Sequence, residues 1–201
     1  MKVEMTAEAE ERAIAILNTC MGRSERLLSE ITDTELSIKV SDVSIHTVKE
    51  ILESPDGTFG EISANLGVAF TGDISGLIGV TFPIDSAAKL VMALSGEDAG
   101  TPELDRLRIE TLKEIGSIII TGIMGSVGST LHSRMDYSIP YYEKGSIVSL
   151  LNIGDKALDY FVKATTVRIS LKDLQIEGRI FMVLEESQVR ILLKKIKENL
   201  C

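Results

Sequence analysis

An α+β fold built from two similar halves, about residues 1–100 and 101–201 of a single domain, is what this sequence predicts, and three observations predict it. Hydrophobic spacing switches repeatedly between three- or four-residue steps and strict alternation. The order helix, strand, hairpin, helix begins again near residue 101. The 201 residues, 44% hydrophobic and 25% charged, have the balance of a globular protein whose length would leave two independent domains cramped.

The elements follow in order. Thr6 is a plausible N-cap, and Glu8, Glu10 and Glu11 place carboxylates in the first turns, at the positive end of a helix dipole. Ala13, Ile14, Ile16, Leu17, Cys20, Met21, Leu27, Leu28 and Ile31 then form an apolar stripe, so this helix runs to about Thr32. Residues 36–40 alternate and predict a strand. A polar stretch at 54–57 precedes two β-rich runs within 66–82, separated by Thr71-Gly72-Asp73-Ile74-Ser75-Gly76, a hairpin signal. Helical spacing returns over 87–94, and 96–100 reads as a linker. Thr101-Pro102-Glu103 offers an N-cap, a first-turn proline and an early acid for a second long helix that includes 110–129. Strands are expected at 136–140, 147–153, 160–171 and 179–184, with a closing helix over 187–198. A shift of 99 positions sets Glu11 on Glu110, Asn18 on Ser117 and Ser41 on Pro140; a shift of 102 sets Gly76 on Gly178.

Composition excludes several classes of function. A net charge of −9 argues against a nucleic-acid partner, whose binding needs clustered Lys and Arg, and favours a partner with a basic face or a metal-neutralised anionic site. Cys20 and Cys201 make no disulfide framework, and no apolar leader opens the chain, so a reducing, cytoplasmic setting is expected. Residues 115–133 carry no charge, but Gly116, Gly122, Gly125, Gly128 and several Ser and Thr suit a closely packed buried helix better than a membrane span. His46, His132 and the two cysteines have no zinc-like spacing, so no metal or cofactor is expected on this chain.

One set of residues is more specific. The run 68–76 followed by Phe82-Pro83, and Lys113-Glu114-Ile115-Gly116-Ser117 with Pro140 after it, resembles the CheC family of chemotaxis phosphatases. That family's signature is a Glu, an Asn three residues later and a Pro after a 22-residue gap. The resemblance implies two pseudo-symmetric halves, each presenting a long helix beside a shared antiparallel sheet. It also implies dephosphorylation of the response regulator CheY, and pairing with the deamidase CheD in some relatives. A Glu and an Asn at i and i+3 share one helix face. In such proteins the Glu engages a basic group of the receiver and the Asn orients a water, with Mg2+ held by the receiver itself, so the phosphatase mainly positions.

Both halves depart from the signature. The second keeps Glu114 and Pro140 but has Ser117 for Asn; the first keeps Asn18 but has Ala15 for Glu and Ser41 for Pro. The candidate catalytic residues are Asn18, Glu114 and Ser117, with Glu11, Glu110 and Pro140 as partner contacts. The two helices are expected to be separate surfaces that do not combine into one site. Two functions stay open: a weak phosphatase of phosphorylated CheY, or an adaptor that binds a receiver or CheD without catalysis.

Overall fold

The computed structural model describes residues 7–33, 35–42, 44–52, 60–96, 104–147, 160–171 and 174–200. In chain order the elements are α1 (Ala7–Thr32), β1 (Leu36–Val40), β2 (Ser44–Thr47), α2 (Val48–Leu52), β3 (Ser63–Gly72), β4 (Gly76–Pro83), α3 (Ile84–Ser95), α4 (Arg106–Thr130), β5 (Met135–Tyr137), β6 (Tyr141–Gly145), β7 (Tyr160–Leu171), β8 (Leu174–Glu185) and α5 (Glu186–Leu200). All the strands pair antiparallel in one sheet of order β1-β7-β8-β4-β3-β5, with β2 also on β7 and β6 also on β3.

That order makes the fold internally duplicated. The shift of 99 carries α1 onto 106–131, where α4 lies, and β1 onto 135–139, where β5 begins. Strands β1 and β2 pair with β7, whereas β5 and β6 pair with β3, so each half donates its first strands to the other half's sheet. The pseudo-two-fold axis passes between β4 and β8, which pair at Gly79 and Phe181, 102 positions apart.

Alternation gives the sheet two faces. One carries Leu66, Phe70, Ile78, Val80 and Phe82 into the main core with Met21 and Leu28 of α1, Leu90 and Val91 of α3, and Leu112, Ile119 and Ile120 of α4. Gly116 lets α4 lie against Leu66, since a Cβ there would fall 2.6 Å from that side chain. Helices α1 and α4 pack together at Gly122, where any Cβ would collide with Ser24 Oγ. The Ser24 hydroxyl instead donates to the Ile118 carbonyl at 3.1 Å. On the opposite face, Asn65 and Thr81 stand directly across from each other, both buried.

Two expectations need correction, the start of α4 and the strand at 147–153. Helix α4 begins at Arg106, capped by Asp105, whose Oδ1 accepts the Arg108 N–H at 2.9 Å. The 101–103 start signal lies outside the described residues, and 104–105 are not helical. Ile147 is helical rather than extended, and the rest of 147–153 lies outside the described residues. The uncharged 115–133 segment is largely helix α4, buried at Ile115, Gly116, Ile119, Ile120, Gly122, Ile123 and Met124, and no helix among the described residues is long and apolar enough to cross a membrane.

Candidate functional site

Asn18 lies on the face of α1 that meets β1. Its Nδ2 donates to the Val40 carbonyl at 3.3 Å, and its Oδ1 accepts the Val40 N–H at 2.8 Å. Two turns on, Glu25 Oε1 accepts the Ile38 N–H at 2.6 Å. Strand β1 is an edge of the sheet, and these two side chains close its outer hydrogen-bonding edge against α1. The amide that the sequence nominates for orienting water is thus bound at both its ends to main chain. Glu11, nearly two turns earlier, is exposed, and Ser41, at the proline position, is exposed with its hydroxyl on Asp42.

The second half is open where the first is closed. On α4 the positions Leu107, Glu110, Glu114, Ser117 and Thr121 recur at three- and four-residue steps along one stripe. Leu107, Glu110, Glu114 and Thr121 are exposed, and Ser117 is half-buried. Glu110 is held by Lys113 at 3.2 Å. Pro140 is half-buried between Ile139, 87% exposed, and Tyr141. The Tyr141 ring lies over Gly67 of β3, so close that any Cβ at Gly67 would meet its ring carbons at about 2.5 Å. Burial, with Glu143 adding to it, pushes the Tyr141 phenol above its ordinary value.

The two helices pack against each other: Cys20 lies against Ser126 and Ser24 touches Gly122, so they run antiparallel. In that register Asn18 lies level with Gly128, eleven residues from Ser117, or about 16 Å along the axis at 1.5 Å per residue. Asn18 and Glu114 therefore do not converge on one site. Burial raises the Cys20 thiol above its usual value, which leaves it a packing residue rather than a nucleophile. Among the described residues no cluster of three His, Cys, Asp or Glu stands ready for a metal.

No protein-family model matches the chain, and no curated protein matches it by sequence. Solved structures do match. FliY of Thermotoga maritima superposes with a TM-score of 0.77 at 18% identity, covering 97% of this chain and 98% of that one. FliM of H. pylori, solved in a complex with SpeE, gives 0.71 at 13% identity with 98% of both chains covered. CheX of Borrelia burgdorferi, solved as a CheX-CheY-BeF3-Mg complex, gives 0.54 at 18% identity over 86% of this chain and 99% of that one. The chain has the fold of FliY, FliM and CheX. Within this CheC-like fold the duplicated α+β architecture is as expected, and the residue missing from the sequence-based expectations is Glu25, which caps the β1 edge at Ile38. Glu25 was hidden in an ordinary charged helix face.

Proposed function

We propose that this protein docks a phosphorylated receiver of the CheY type on the outward stripe of α4, with Glu114 as the contact for a basic receiver group, and that it holds this partner with little hydrolysis of its own. The observation that carries the reading is the division of the signature. Glu114 is exposed on α4 with Ser117 one turn on and Pro140 half-buried, whereas Asn18, the available carboxamide, is tied to Val40. A serine hydroxyl both donates and accepts, but its reach is about one carbon shorter than that of Asn, and ~1 Å of misplacement costs on the order of 100-fold where catalysis is orientation. The acidic stripe suits a receiver whose phosphoryl group is already neutralised by Mg2+. The solved CheX-CheY-BeF3-Mg complex supports a receiver as partner for this fold.

Binding and phosphate release measured with one phosphorylated receiver test the proposal. The parent chain should bind it and barely accelerate release, Glu114→Ala should weaken binding, and Ser117→Asn should raise release by on the order of 100-fold by completing the signature. Fast release by the parent that survives Glu114→Ala would overturn it.

A further inference from the structure

The seam between α1 and α4 has two unlike ends. Cys20, Ser24, Leu27 and Ile31 recur at steps of four, three and four residues, so they share the stripe of α1 that meets α4. The first two are buried, Cys20 by Ser126 and Ser24 against Gly122. Beyond them the covering thins: Leu27 is 39% exposed and Ile31 68%. In the register set by Ser24 and Gly122, Ile31 lies level with Ile115, the residue after Glu114. Helix α1 stops at Thr32, level with Glu114, so the first two turns of α4 run on past its end. Leu107 lies there, 69% exposed, on the same outward stripe as Glu110 and Glu114. Single exposed apolar residues are ordinary; three along one seam mark an interaction surface.

The duplication supplies an internal control. Shifted by 99 positions, Leu27 and Ile31 match Ser126 and Thr130, while Leu107 and Ile118 match Glu8 and Thr19. Each of these four apolar residues at the Glu114 end therefore has a polar counterpart at the Asn18 end. The fold does not require apolar groups at those positions, since its other half does without them. The apolar set accompanies the half whose Glu114 faces outward and is missing from the half whose Asn18 is tied to Val40. What covers the set is thus what meets Glu114.

We propose that Leu27, Ile31 and Leu107 form an apolar ledge on which the receiver seats, so that its docking surface spans both helices. The inference rests on the reading that Glu114 meets a basic receiver group. It adds that the receiver carries an apolar patch beside that group, within about 10 Å, the reach of the seven residues from Glu114 to Leu107 at 1.5 Å per residue. Apolar contact there excludes water from the ion pair, where a carboxylate and a cation attract more strongly than in bulk solvent. Such contact acts equally before and during phosphoryl transfer, so it holds the partner without speeding release.

Titration calorimetry with a CheY-type receiver carrying BeF3 and Mg2+, at low and at high salt, tests the ledge. Ile31→Ala combined with Leu107→Ala should weaken binding by on the order of 10-fold at both salt concentrations. The loss caused by Glu114→Ala should instead shrink at high salt. Thr19→Ala, at the polar end of the seam, should bind as the parent does. Ile31 and Leu107 are each more than two-thirds exposed and alanine favours helix, so the unfolding midpoint of the double variant should not move. If Glu114→Ala weakens binding and the double variant does not, the ledge is overturned while docking on Glu114 stands. A double-variant loss that high salt removes also overturns it, and a parent that binds no receiver overturns both.

Discussion

Replacing Asn18 by alanine separates a structural amide from a catalytic one. The substitution deletes two hydrogen bonds to Val40, at 2.8 and 3.3 Å, each worth about 0.5–1.5 kcal/mol net. It also leaves the Val40 N–H beneath α1 in a residue only 4% exposed, where an unmet donor costs about 1–3 kcal/mol. Counting the shared desolvation once, the loss should be about 3 kcal/mol, or roughly 6–12 °C in Tm for a chain of this length. Thermal and urea unfolding read it directly, and hydrogen exchange should show the amides of Ile38 and Val40 losing protection. An Asn18→Ala chain that keeps its Tm but loses receiver dephosphorylation would refute the reasoning, because the carboxamide would then be serving a partner rather than an edge strand.

Three further outcomes follow from the same geometry. Gly122→Ala drives a methyl onto Ser24 Oγ and breaks its bond to Ile118, so α1 and α4 must part, and stability should fall by about 1–3 kcal/mol in chemical denaturation. Thr81→Val should be neutral or stabilising by about 1 kcal/mol, because the buried Thr81 hydroxyl has no hydrogen-bond partner among the described residues; a clear loss of stability would show that the hydroxyl is engaged. The Asp73 carboxylate is held below its ordinary pKa by the Arg134 N–H first and Lys195 next. A carboxylate with a lowered folded pKa stabilises above its unfolded value and loses that contribution as pH falls through the folded one. Acid unfolding should thus include a step below the usual carboxylate range that Asp73→Ala removes.

Much of the fold was legible because the relevant signals are local. The apolar stripes of α1 and α4, the alternation of β1 and the hairpin at 71–76 each come from spacing within one segment. The missed elements are short: β2, α2 and β6 span five residues or fewer, too few for a period to register. The start of α4 was misplaced because Thr101-Pro102 carries the stronger written signal, whereas Asp105 is the residue whose side chain reaches the Arg108 N–H.

The residues of the candidate site were legible only as a pattern. From sequence, Asn18 and Ser117 are equivalent positions on equivalent helices, and nothing local distinguishes an amide facing solvent from one facing a strand. Glu114 could be placed on an outward stripe, but whether that stripe stayed open depended on what packs beside it.

The sequence by itself determined the duplicated α+β architecture, because helix and strand periods and their repetition are properties of the chain's own order. Only the tertiary structure decided that α1 covers its edge strand while α4 leaves β5 open, that Asn18 is bonded to Val40, and that Tyr137 and Ile139 face solvent. Those facts depend on which strand each half pairs with and how far each helix lies from it, and such distances arise between segments remote in sequence.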